Sequence, residues 1–292
     1  MTNETLKQIA RREVELFEGR GEASLAADLF TPDYRLHFAG MPALPVAGHI
    51  QLLAAFREAF PDLRITIEAQ IAERDCVVNH LRLTGTHRGP FQGLPATGRS
   101  IDCTATNIMR FEGDRIAELW GQPDSITMMT QLGAMPPDPE RAPLPPLSAA
   151  GTRSDPEDAK AAVRRFVAAF NAKNVDAIAA EYSEKYVLDF PGGPKGRGLA
   201  GVRAATREFM ATFPDLNFSV DRLVGEGDLV AWQWTLTGTQ RGALGPFPAS
   251  GRPVRVGGIS LLRAEAGKIV EDRVRADVVG MLQQIGVLPV PA

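Results

Sequence analysis

Four side chains in the stretch ELWGQPD, Glu118, Trp120, Gln122 and Asp124, recur at every second position. A strand would turn all four to one side. There an indole makes an apolar wall, and the Gln122 amide can donate to an oxygen that gains charge during a reaction. Packing in a core accounts equally for Trp120, and a solvated strand edge for Glu118. Asp124 directly follows Pro123 and precedes SITMMTQLG, so its carboxylate is also placed to cap the next helix. His37, between Leu36 and Phe38, brings an imidazole suited to proton transfer near neutrality. Asn79 and Asn107 fall on predicted strands, where an inward amide could orient a carbonyl; a satisfied buried amide is the plainer reading of Asn79.

Other chemistries lack their signatures. The chain has only two cysteines, Cys76 and Cys103, without CxxC spacing, and they read as buried thiols. None of His37, His49, His80 and His87 is paired as HxxH or HExxH, so no metal site is expected. GPFQGLP contains glycines but no GxGxxG or GKS/T context, and no GxSxG elbow occurs. His87, Arg88 and Arg99 lie among glycines and prolines that suggest turn geometry. With 32 basic against 35 acidic residues there is no surplus of positive charge for nucleic acid or an acidic membrane surface. The N-terminal stretch is interrupted by charges and no long apolar run follows it, so a cytoplasmic protein is expected.

The elements that must position these residues occur twice. AFPDLRITIEAQI at 59–71 matches TFPDLNFSVDRLV at 212–224, and LTGTHRG at 83–89 matches LTGTQRG at 236–242. Phe213 follows Phe60, and Gly251 follows Gly98, by 153 residues; DYRLHF at 33–38 matches KYVLDF at 185–190 with an offset of 152. A period this long is a duplicated domain, not a solenoid. The expected organisation is a domain over 1–135, a proline-rich linker over 136–154 and a second domain over 155–292, which together could mimic a homodimer within one chain and could associate further as a homo-oligomer.

Within each copy, apolar spacing predicts a first helix at 4–18 and its counterpart after Asp155-Pro156, where Ser154 or Asp155 can cap. A second helix is predicted at 25–30 and 177–182, and a third at 49–59 and 199–212. Strands follow: Leu63, Ile65, Ile67, Ala69 and Ile71 alternate with polar residues, and further strands are predicted at 76–87, 100–111 and 115–123. Helices preceding an antiparallel sheet argue for an α+β fold with a pocket between the layers.

FPDL, LTGTHRGPFQGLPATGR and RFEGDRIAELWGQPD resemble the SnoaL-like polyketide cyclase (ester cyclase) family, a branch of the cone-shaped fold shared with ketosteroid isomerase and nuclear transport factor 2. The resemblance implies two tandem cones, each with N-terminal helices packed on a curved, mainly antiparallel sheet. It also implies an intramolecular aldol-type reaction with Asp124 as acid and base, assisted by His37 and Gln122 and using no cofactor, on a small apolar or polyketide-like ligand. Desolvation in an apolar cone would raise the carboxyl's pKa toward the working range. The second copy departs from the pattern: Asp189 stands for His37, Gln240 for His87, Arg273 for Trp120 and Arg275 for Gln122, while Asp277 retains the carboxylate of Asp124. The first copy is therefore the better catalytic candidate. Two other readings stand beside it: a noncatalytic binding protein with two apolar cones, and an epoxide hydrolase to which Asp277 and Arg275 contribute.

Overall fold

The computed structural model describes residues 1–136, 147, 155–193 and 198–289. Most of the expected linker, 137–146 and 148–154, lies outside them, as does Ser154. The chain divides into two compact units, Met1–Leu147 and Ser148–Ala292.

The first unit begins with α1 (Asn3–Arg12), capped by the Thr2 hydroxyl, which accepts from the Thr5 N–H at 3.2 Å. The α-helix does not run on to residue 18 as predicted. From Glu13 to Glu18 the chain widens into a π-helical turn. A short 3₁₀ turn over Ala23–Leu25 leads into α2 (Ala26–Leu29). Phe30, expected to close that helix, instead opens β1 (Phe30–Phe38). There follow α3 (Val46–Ala59), β2 (Arg64–Glu73), β3 (Cys76–Thr86), β4 (Ser100–Glu112), β5 (Arg115–Pro123) and α4 (Ser125–Leu132).

The sheet order is β1-β5-β4-β3-β2, with β1 parallel to β5 and every other pair antiparallel. Leu6, Ala10, Val14 and Phe17 of the first helix pack on Leu29, Phe30, Tyr34, Leu36, Val77, Leu81, Met109 and Leu119. The predicted alternation of β2 breaks at Glu68, where the register against β3 shifts between Ile67 and Ala69. This bulge resets which side chains turn inward: Ile71 and Ala72, adjacent in sequence, are both buried.

The second unit repeats the order: α5 (Pro156–Asn171), α6 (Val175–Ala180), β6 (Tyr182–Asp189), α7 (Gly198–Thr212), β7 (Asn217–Glu226), β8 (Leu229–Thr239), β9 (Pro253–Glu265), β10 (Lys268–Ala276) and α8 (Val278–Gln284). As with Phe30, Tyr182 begins a strand and does not end the preceding helix. Asp155 caps α5, accepting from the Glu157 N–H at 2.9 Å, and Pro156 occupies the first turn. Its sheet order is β6-β10-β9-β8-β7.

The repeated motifs build the same joint twice. After the proline ends α3, Asp62 accepts from the Thr86 N–H at 2.7 Å and from its hydroxyl at 2.8 Å. Asp215 and Thr239 do the same at 2.7 Å for both bonds. Thus FPDL and LTGT fasten the helix-to-sheet turn to the far end of the next strand, and these bonds hold both carboxyls below the usual aspartate range. Gly89 lies in the same joint, where a Cβ would come 2.3 Å from the Glu58 carbonyl.

Candidate functional site

In the first unit, α3, the strands and α4 enclose an apolar cavity of about 80 Å³. Leu36, Phe38, Leu53, Phe56, Leu81 and Leu119 contribute to its wall, together with four side chains that can carry chemistry: Glu18, His49, Asn107 and Gln122.

The π-helical turn accounts for Glu18. In an α-helix, residues five apart diverge around the axis, but an i→i+5 turn brings them back to one side. Glu13 and Glu18 therefore converge, and their carboxylate oxygens lie within 4.8 Å of one another and of a ring nitrogen of His49 on α3. The end of the turn is held by Arg57, whose guanidinium donates to the Glu18 backbone carbonyl. His49 is buried, with Nδ1 3.0 Å from the Tyr34 hydroxyl and Nε2 3.5 Å from Glu18 Oε1. Glu13 is wholly buried, and no hydrogen-bond donor among the described residues reaches either of its oxygens. Burial, then repulsion by Glu18 and a proton shared with it, pushes the Glu13 carboxyl well above the usual glutamate range. Burial and the same two carboxylates raise the Tyr34 phenol. Glu13, Glu18, Tyr34 and His49 do not stand out in the sequence. A spacing of five is not a helical-face spacing, and the histidine lies 31 residues beyond Glu18.

The residues singled out from sequence divide between the two faces of the sheet. Leu119, Gly121 and Pro123 of β5 line the cavity, so the intervening Glu118 and Trp120 turn to the other face. His37 goes with them. Its ring stacks on Trp120 with centroids 5.1 Å apart and planes 5° apart, and its Nε2 lies 2.9 Å from Glu118 Oε2. Arg110 donates to Glu118 Oε1 at 2.7 and 3.0 Å. Partial burial opposes ionisation of Glu118, but these bonds from Arg110 and His37 prevail and hold its carboxyl below the usual range. The expectation that His37, Glu118 and Trp120 face the pocket is therefore corrected. Strand parity groups Glu118 with Trp120 correctly but cannot say which face is covered by helices. Gln122 shares their parity yet lines the cavity at the end of β5, and its Oε1 is buried without a hydrogen-bond partner among the described residues.

Asp124 is buried at the N-terminus of α4, accepting from the Thr127 N–H at 2.9 Å and the Thr127 hydroxyl at 2.6 Å. This is the capping geometry, and Asp124 is not among the cavity-lining residues. Asn79 is a satisfied buried amide: Gln70 donates to its Oδ1 at 2.8 Å, and its own Nδ2 donates to Asn107 Oδ1 at 2.8 Å. This chain fixes the Asn107 amide and leaves Asn107 Nδ2 available to donate at the cavity wall.

The second unit has a different polar centre. At the 153-residue offset that relates Phe60 to Phe213, Phe166, Asn171 and Val202 occupy the positions of Glu13, Glu18 and His49. Asp189 and Arg275 form a buried ion pair at 2.5 Å. Asp277 caps α8 through the Gly280 N–H at 2.9 Å, and its burial raises the carboxyl despite that bond. Asp272, at the position of Leu119, was not anticipated from sequence. It is buried with Oδ1 lacking a partner among the described residues. Burial and the neighbouring Asp189 carboxylate, opposed by Arg275, raise its pKa to about 7. Burial, then the charge of Asp272, raises the Tyr182 phenol.

Paired α+β units with five-stranded mixed sheets and a helix-covered cavity in the first define the class of protein. The family model described as SnoaL-like polyketide cyclase matches residues 7–132 and again 160–285, so the chain belongs to that family in two tandem copies. Similar solved structures include TsrD from Streptomyces laurentii, at 31% identity over 46% of this chain and 99% of that one, with a TM-score of 0.43. A candidate SnoaL-like polyketide cyclase from Jannaschia sp. CCS1 is 26% identical over 46% of this chain and 95% of its own, with a TM-score of 0.43. AclR from Streptomyces galilaeus, described as a candidate hydroxylase, is 24% identical over 48% of this chain and 87% of its own, with a TM-score of 0.44. A comparison with curated proteins finds no match. No helix among the described residues is long and apolar enough to cross a membrane.

Proposed function

We propose that the first domain is an acid/base enzyme of the cyclase, lyase or isomerase type that acts through an enolate on a small apolar carbonyl compound. The observation that carries this reading is His49: a buried imidazole in the wall of an apolar cavity, held at Nδ1 by Tyr34 and flanked by Glu18. With Nδ1 donating to the Tyr34 oxygen, Nε2 keeps its lone pair and removes a proton from the carbon beside the substrate carbonyl. The electron pair moves onto the carbonyl oxygen, which accepts hydrogen bonds from the Asn107 and Gln122 amides. The imidazolium is stabilised by Glu18 and returns the proton to carbon or to an acceptor carbonyl that the enolate has attacked. Asp124, the acid/base residue that the family resemblance implies, serves in this scheme as the cap that holds α4 against the cavity. The second domain, with Phe166, Asn171 and Val202 in place of the acid/base cluster, takes no part in the chemistry.

The test uses exchange of α-protons for deuterium in a set of apolar 1,3-diketones, followed by NMR. The wild-type protein should accelerate exchange, and His49→Gln should reduce the acceleration by about 10²-fold or more, the usual scale of general acid/base assistance. Asp124→Asn should melt lower but exchange at close to the wild-type rate. A folded, slow Asp124→Asn with an unimpaired His49→Gln would transfer the role to Asp124 and overturn the scheme.

A further inference from the structure

The Glu13, Glu18 and His49 side chains pose a problem that proton transfer alone does not explain. Glu13 contributes nothing to the cavity wall, yet it is an acidic residue with no exposed surface and no hydrogen-bond donor for either oxygen among the described residues. A buried carboxyl whose one hydrogen-bonding opportunity is a proton shared with Glu18 is costly. Arg57 donates to the Glu18 backbone carbonyl and not to either carboxylate.

We propose that Glu13, Glu18 and His49 bind one divalent first-row transition ion at the wall of the first domain's cavity. One ligand atom from each residue lies within 4.8 Å of the other two. Ligands at about 2.0–2.2 Å from a tetrahedral zinc stand about 3.3–3.6 Å apart. His49 Nε2 and Glu18 Oε1, 3.5 Å apart, already have that spacing, and a side-chain movement of up to about 1.5 Å brings Glu13 into range. Two carboxylates neutralise the ion's charge, which makes the occupied site less costly to bury than the charged residues alone. One imidazole with two carboxylates is a mixed nitrogen and oxygen set suited to zinc, cobalt, iron or manganese rather than to calcium or magnesium. Tyr34, 3.0 Å from Nδ1, fixes the ring so that Nε2 faces the carboxylates. Three protein ligands leave a coordination position open, and because Glu18 and His49 line the cavity, a carbonyl oxygen held there could fill it. The HxxH and HExxH motifs are absent because the ligands come from a π-helical turn and a separate helix.

The probe is Zn²⁺ alone, measured by equilibrium dialysis of the full-length protein without substrate, with Co²⁺ absorption as a second readout. The expected result is one Zn²⁺ bound in the first domain, with affinity at least 10-fold weaker in Glu13→Gln and in His49→Gln. Tyr34→Phe should weaken it by about 10-fold, because the His49 ring loses the hydroxyl that orients it. Asp272→Asn, in the other domain, should bind as the wild type does. If Glu13→Gln fails to fold, Glu18→Gln supplies the same test. No binding to the wild type, or binding unchanged in these variants, would mean that the cluster holds a shared proton only, or that zinc is adventitious, and would overturn the proposal. His49 Nε2 cannot hold an ion and accept a proton at once, so bound Zn²⁺ should suppress the proton exchange of the metal-free protein. Dialysis without substrate reads only the ion and exchange in chelator-treated protein reads only the base, so each reading can fail without the other.

Discussion

At the FPDL and LTGT joint the two domains are nearly superimposable in chemistry: Asp62 holds Thr86, and Asp215 holds Thr239, with both the N–H and the hydroxyl bonded in each. At the polar centres they share almost nothing. Domain one places Glu13, Glu18 and His49 where domain two has Phe166, Asn171 and Val202. Domain two places Asp189, Asp272 and Arg275 where domain one has His37, Leu119 and Gln122. Each domain thus buries its charge where the other is neutral or apolar. The turns that set strand length and helix entry must satisfy backbone geometry and tolerate little change, whereas a side chain at a wall position can be exchanged if its new partners are supplied.

Exchanging residues across the repeat is the sharpest way to break this comparison. The largest effect should come from His49→Val, which copies Val202 into the first domain: the proton-exchange rate should fall by about 10²-fold or more, with far-UV dichroism unchanged. A rate equal to that of the wild type would show that the difference between the centres has no catalytic meaning.

Next in size is Asp272→Leu, which copies Leu119 into the second domain. In the folded chain this carboxyl's pKa is raised from 3.8 to about 7, so the folded state holds the proton more tightly than the unfolded one. Its ionisation therefore destabilises the fold increasingly as pH rises from about 4 to about 7, and to the full extent above that. Asp272→Leu should be the more stable protein at pH 8, by ~1–4 kcal/mol in denaturant titrations, with the advantage shrinking toward pH 4. An advantage independent of pH would refute the assignment of the raised group to Asp272.

Smaller, and equal in the two domains, should be the loss of a helix cap. Asp124→Ala and Asp277→Ala should each cost about 1 kcal/mol, read as a lowered melting temperature. A much larger cost in one domain would show that its cap carries an additional role. The smallest effect is expected on the outer face of the first sheet. His37→Ala removes a part-exposed ring stack on Trp120 and a hydrogen bond with Glu118 and should cost no more than about 1 kcal/mol, without slowing exchange. A slowed exchange would bring His37 back into the chemistry.

Much of the architecture was legible because it depends on local rules. The duplication follows from constant spacing, the helix caps at Asp124 and Asp155 from the stretches they precede, and β4 and β5 from the FEGDR turn between them. The boundaries that shifted, at Phe30 and Tyr182, are aromatic residues that a helix end and a strand start accommodate equally well. Parity also grouped Glu118 and Trp120 correctly as residues of one face, but Gln122 and Asp124, grouped with them, went to the cavity wall and to the cap of α4.

The sequence by itself determined the repeat, the α+β order and the turns, because each rests on contacts between residues close in the chain or on periodicity within one element. Only the tertiary structure decided which face of β5 is covered by helices, and so sent Trp120 outward and Leu119 to the cavity. It alone decided that the first helix widens at Glu13–Glu18 and that α3 delivers His49 to the same point. It likewise decided that Asp272 loses its water beside Asp189. Those outcomes depend on packing between distant segments, where burial and neighbouring charge set the chemistry of a side chain, and neither is encoded in its spacing along the chain.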